Sequence, residues 1–158
     1  MTRIIGIDPG LAKIGYAVIE KSKDGEKLIE AKCIKTSKEL AKGQRLKKIY
    51  NDLEKVVQKY KPEKAALEAV FFSKNAKTAL LVSEVRGIIL LLLEKSNIET
   101  IEPTPLQVKI ALTGFGRAEK EQVRLMVAKI LKISSKLEPY DVSDAAALAI
   151  SISNKSRF

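Results

Sequence analysis

The order in which hydrophobic periods change along the chain constrains its fold most. Three short runs rich in β-branched residues come first, at 4–7, 14–19 and 28–34, with no helical period between them. Asp8, Pro9 and Gly10 open a hairpin turn between the first two, and Asp24 and Gly25 turn the chain into the third. The period then lengthens. Leu46, Ile49, Tyr50, Leu53, Val57 and Tyr60 follow helical spacing, which predicts an amphipathic helix over about 39–60, stopped by Pro62. Ala65, Ala66 and Leu67 read as a fourth, buried strand ending near Glu68, residues 75–95 as a second long helix, and 97–101 as a fifth strand. Pro103 and Pro105 precede a short helix carrying Val108, Ile110 and Leu112. Val123, Met126, Val127, Ile130 and Leu131 mark another, and Val142, Ala145, Ala146, Leu148, Ala149 and Ile152 the last. A meander followed by strand–helix alternation predicts an α/β fold: a mixed five-stranded sheet flanked by helices on both faces. With 158 residues, no linker and no repeat, a single domain over 1–158 is expected.

Composition narrows the chemistry. The chain has no histidine and one cysteine, Cys33. That removes an imidazole general base, a Ser-His-Asp triad, a His-Glu-x-x-His zinc site and an internal disulfide. An enzyme built from these residues must work with carboxylates, lysines, hydroxyls or a hard metal ion. Lys plus Arg number 29 against 19 Asp plus Glu, a formal charge of +10. Such a balance suits a polyanionic partner, nucleic acid above all, although a Lys/Glu-rich surface also serves simply to solvate a stable domain. The longest apolar run, 88–93, is too short to cross a membrane, and residues 1–3 lead straight into the first strand without a signal peptide. A cytoplasmic protein is expected.

Four acids fall where strands end or a helix begins. Asp8 follows the first strand and Glu68 the fourth; the two meet beyond the strand ends if those strands are parallel neighbours. Asp8 also suits a turn before Pro-Gly. Asp141 and Asp144 share one face of the last helix, where N-cap and N3 positions would give them a purely structural role. Glu68 resists such a role, because an acid among Ala65, Ala66, Leu67, Ala69 and Val70 is costly to bury unless paired or bound to a cation. Oxygen donors without nitrogen or sulfur suit magnesium or manganese. Acids in one pocket of a basic protein are what two-metal phosphodiester chemistry requires. Phe71 and Phe72 are core or exposed wedges. Lys74 and Lys77 follow them as a basic rim, and Gly114 and Gly116 flank a loop with Arg117 where backbone N–H groups meet phosphate or simply flex.

These residues also carry a family likeness. The segments 5–11 and 15–18, then 68–75, Arg86-Gly87, 104–109, 113–123 and 141–149 together resemble the RuvC family of Holliday junction resolvases, in that family's own order, over about 4–150. The resemblance implies an RNase H-like fold, a homodimer, and magnesium-dependent paired symmetric nicking of four-way DNA junctions, with manganese as a substitute and two ions per site. It also implies a junction helicase complex as partner. By position, Asp8, Glu68, Asp141 and Asp144 match the family's catalytic, metal-binding carboxylates. Phe71 matches an aromatic at the crossover, and Lys109 and Lys120 match basic residues that contact DNA. Ala69 stands where members often have a polar residue, Ser83-Glu84-Val85 replaces a commoner Gly-Gln-Ala, and some members carry histidine at the position of Asp141. The hairpin at Asp8 also resembles that of actin-like ATPases, which need two such domains. A related RNA-processing nuclease family lacks the 71–75 and 107–109 segments, and a non-catalytic junction-binding module would have no need of four acids in a basic groove.

The second helix predicts the dimer. Leu81, Val85, Ile88, Ile89, Leu92 and Leu93 make a broad face suited to the sheet, while Leu80, Gly87 and Leu91, with Glu84 close by, lie on a narrower second face. A helix apolar on two sides is buried on both, either within the monomer or against its two-fold copy.

Overall fold

A computed structural model describes residues 1–70 and 75–154. The elements run β1 (Thr2–Asp8), β2 (Lys13–Ser22), β3 (Gly25–Lys35), α1 (Lys42–Tyr60), β4 (Lys64–Leu67), α2 (Ala76–Lys95), β5 (Glu99–Ile101), α3 (Pro105–Thr113), α4 (Lys120–Ile130) and α5 (Tyr140–Ser151). The strands form one sheet of order β3-β2-β1-β4-β5. β1, β2 and β3 pair antiparallel, while β4 joins β1, and β5 joins β4, in parallel. The mixed sheet expected from the sequence is therefore present.

Alternation along the strands divides the apolar residues between two cores. Ile5, Ile7, Ile14, Val18, Ala65 and Leu67 face α1 and α2, where they meet Ile49, Leu53, Val85, Ile89, Leu92 and Leu93. Ile4, Ala17, Ile19 and Ala66 face the other way, beneath Val108, Leu112, Val123, Val127 and the alanine-rich run of α5. Alanines at 145–147 and 149 are short enough to bring α5 onto the sheet. Two glycines complete the approach: a Cβ on Gly6 would lie 1.9 Å from the Ala145 carbonyl oxygen, and one on Gly15 2.0 Å from that of Asp141. Backbone thus packs on backbone, and the start of α5 is fixed over the ends of β1 and β2.

Some sequence expectations need correction. α1 begins at Lys42 and β5 at Glu99, both later than expected, and β3 begins earlier, at Gly25. The apolar period sets where an element is buried, whereas its ends depend on partners. Ile110 is exposed, although its helix places Val108 and Leu112 in the core. Leu80 (67% exposed) and Leu91 (56%) confirm that the second face of α2 is uncovered in the single chain.

Candidate active site

Parallel pairing of β1 with β4, with Ile7 opposite Leu67, brings the two strand-terminal acids to the same edge of the sheet. Asp8 ends β1, and Glu68 is the first residue past β4. The β4 end is held in place by the Ala69 N–H, which donates to the Pro103 carbonyl at 2.9 Å. Asp144 arrives from above on α5. A cavity of about 320 Å³ is lined by Asp8, Glu68 and Asp144, together with Lys109 of α3 and Lys120 of α4. Arg117 and Lys77 are exposed and lie outside this lining. Phe71, Phe72 and Lys74 fall outside the described residues.

The capping role open to Asp141 and Asp144 is not what the structure shows. α5 starts at Tyr140 with Pro139 as its N-cap residue and no side-chain cap, so neither acid satisfies a terminal N–H. Asp144 instead forms an ion pair with Lys120 at 3.2 Å. Asp141 does not line the cavity, yet it is close enough to add to the field on Asp8.

Electrostatics mark the three lining acids as a group. Burial, then the charges of Asp144, Asp141 and Glu68, push the Asp8 carboxyl up to about 8, with Lys120 opposing. Glu68 is raised by burial and by Asp144, against Arg86 and Lys120. Burial likewise raises Asp144, opposed first by its hydrogen bond to Lys120. Three carboxyls thus share a desolvated place with too little positive charge to keep all of them ionised. Perturbation of this kind is characteristic of sites that act on a ligand.

The donor chemistry fits a hard divalent cation: oxygen only, no histidine, and acids whose charge is unsatisfied. As the side chains stand, no group of three or more Asp, Glu or Cys among the described residues is gathered closely enough to hold an ion. Asp144 is paired with Lys120 instead.

Two buried arginines support the acids from behind, and neither role was read from the sequence. Arg86 on α2, 6% exposed, donates to the Glu68 carbonyl and to a Glu102 carboxylate oxygen. Arg124 on α4, 5% exposed, donates to Glu121 at 2.9 Å, to the Leu137 carbonyl at 3.0 Å and to Glu138, which ties α4 to the segment leading into α5. Arg124 (4.1 Å) and Lys120 (4.6 Å) both approach the Tyr140 ring, and its hydroxyl donates to Glu121 at 2.7 Å. A signal was available: each arginine sits directly beside a buried valine, Val85 or Val123, within an apolar stripe.

An acid cluster at the parallel edge of a β3-β2-β1-β4-β5 sheet, with helices on both faces, places the chain among RNase H-like proteins. The family model for "Crossover junction endodeoxyribonuclease RuvC" matches residues 4–152, and the chain belongs to that family. It is 47% identical over 147 residues to the crossover junction endodeoxyribonuclease RuvC of Desulforamulus reducens, covering 93% of this chain and 90% of the relative. It is 44% identical over 148 residues to that of Fusobacterium nucleatum, covering 94% and 78%. Among solved structures it resembles Thermus thermophilus RuvC in complex with a Holliday junction substrate. There the TM-score is 0.94 at 30% identity, with 99% of this chain and 96% of the other covered.

Proposed function

We propose that residues 1–158 form one nuclease domain that resolves four-way DNA junctions by paired symmetric nicks. The observation that carries this reading is the cavity itself: three desolvated acids, two at strand ends and one on α5, lined also by Lys109 and Lys120. Asp8, Glu68 and Asp144 would hold magnesium or manganese, two ions in all, with Asp141 assisting. Bound there, such ions supply Lewis acidity toward a phosphoryl oxygen and lower the pKa of water.

The chain's own groups then have distinct tasks. Lys109 and Lys120 attract the phosphodiester and offset the charge that builds on it. Lys120 pairs with Asp144 in this structure and would be released to the phosphate where Asp144 holds a cation. Water adds to phosphorus and the bond to the 3′ oxygen breaks, leaving a 5′-phosphate and a 3′-hydroxyl. Phe71, with Phe72, Lys74 and Lys77 beside it, is assigned to unpaired bases at the crossover, and Arg117 to the backbone.

Paired nicks require two sites in fixed relation. A homodimer through Leu80, Glu84, Gly87 and Leu91 supplies them. Both leucines are exposed, and a Cβ on Gly87 would meet nothing within 4 Å, so a second helix can approach closely. Glu84 meets Lys42 at 3.0 Å on the rim of this face. A helicase complex that moves junctions is the natural supplier of substrate. Among the described residues no helix is long and apolar enough to cross a membrane.

The test is cleavage of a synthetic four-way junction with magnesium or manganese. Asp8→Asn should lose cleavage by at least about a thousandfold while binding the junction as tightly or more tightly, since one negative charge leaves the groove. Near-normal cutting by this variant would remove Asp8 from the site, and tight binding without cutting by the unaltered protein would favour a non-catalytic junction-binding module.

A further inference from the structure

The edge of the sheet that carries the acids continues past them to β2 and β3. There Lys13 and Lys35 are direct Cα partners across the antiparallel ladder. The other facing charges in this ladder are of opposite sign: Glu20 with Lys27, and Lys21 with Glu26, the latter closed as an ion pair of 3.1 Å. Like charges placed directly opposite each other destabilise a sheet. Both lysines are exposed, and among the described residues neither takes part in an ion pair. The fold thus carries a local repulsion that no ion pair among the described residues closes, although Asp141 lies near enough to act on Cys33 together with both lysines.

The pair also lies on a braced turn, on the face of the sheet that α5 covers. Thr36, next to Lys35, donates its N–H to the Ala12 carbonyl at 3.0 Å and its hydroxyl to the Leu11 carbonyl at 2.5 Å. Arg45 of α1 donates in turn to that hydroxyl at 2.9 Å. The β1–β2 turn is therefore tied to the end of β3. Residues two apart on a strand share a face, so Lys13 lies with Gly15 and Lys35 with Cys33. Gly15 is the residue pressed against Asp141, so both lysines are on the α5 side of the sheet. Across the edge the sequence is β3 with Lys35, β2 with Lys13, β1 with Asp8, then β4 followed by Glu68. Two strand spacings, about 10 Å, separate β3 from β1, a span of roughly three nucleotide rises along one DNA strand. Lys109 and Lys120 line the cavity together with the acids, and neither Lys13 nor Lys35 is in that lining.

We propose that Lys13 and Lys35 form a second phosphate-binding clamp, which grips the sugar–phosphate backbone of the nucleic acid on β2 and β3, outside the cavity that Lys109 and Lys120 line. The proposal rests on the nucleic-acid reading given above. It gives the like-charged pair a counter-ion, and it holds the substrate at two points, one at the cavity and one beyond it on β2 and β3.

Salt dependence tests it. Lys13→Gln with Lys35→Gln should lower the slope of log affinity against log salt by about two for a synthetic four-way junction in chelator. From 50 to 200 mM salt the variant should then lose about twelvefold less affinity than the unaltered protein. Its melting temperature should equal or exceed that of the unaltered protein, because a repulsion has been removed. Lys23→Gln with Lys27→Gln, at the opposite end of the same strands, removes equal charge and should leave the slope in place. An unchanged slope in the first variant, or an equal drop in both, overturns the clamp while leaving the nuclease reading intact. Failure of the unaltered protein to bind the junction overturns both.

Discussion

Asp8 sits where burial and three neighbouring acids all disfavour its charge. Between its ordinary value of 3.8 and the raised value of about 8, the folded protein holds a proton that the unfolded chain has released. Stability from this group is therefore complete at low pH and declines as pH rises through that window. Asp8→Asn keeps the side chain's shape and has no such dependence. In chelator it should melt higher than the unaltered protein at pH 8, by a margin on the order of a few kcal/mol, and show little advantage at pH 4. Equal margins at the two pH values, read by thermal denaturation, would mean that Asp8 is well solvated. Tyr140 acts at one remove. Its ring fixes Lys120 beside Asp144, so Tyr140→Leu should slow single-turnover cleavage about three- to tenfold at unchanged junction affinity. Tyr140→Phe keeps the ring and should recover most of the rate. Equal losses in both variants would assign the effect to the hydroxyl and Glu121.

Two helices show how one element serves two surfaces. α5 is alanine-rich because it must lie directly on Gly6 and Gly15. That contact turns an ordinary amphipathic helix into a carrier that sets Asp144 over β1. α2 buries Val85, Ile89, Leu92 and Leu93 and leaves Leu80 and Leu91 in solvent. Transfer of two leucines from water is worth roughly 3–6 kcal/mol per copy, enough to favour association of matching faces. Leu80→Glu with Leu91→Glu should give a folded protein that sediments as a monomer at micromolar concentration and nicks junctions singly. An unaltered protein that is itself monomeric there, or a double variant that unfolds, would show that this face does not join two copies.

At the scale of the whole molecule, the excess of lysine has a direction. Lys109 and Lys120 line the cavity with the acids and Lys13 and Lys35 stand beyond it on β2 and β3, while several remaining lysines are neutralised locally, as Lys48 is by Asp52 and Lys64 by Glu99. Net charge alone gave no such direction, because composition carries no positions in space. The sequence by itself determined the succession of strands and helices, the alternation that splits the core into two layers, and the absence of imidazole chemistry. Each of these depends on residue type and on neighbours a few positions away. It also marked Glu68 as anomalous, since an acid within an apolar run is a local contradiction. Only the tertiary structure decided that Asp8, Glu68 and Asp144 line one cavity while Asp141 stands beside it, that Arg86 and Arg124 are buried supports, and that Lys13 faces Lys35. Those facts arise from parallel pairing of β1 with β4 and from the close seat of α5 on two glycines. Strand pairing and helix packing join residues far apart in the chain, and no local period encodes which of them will meet.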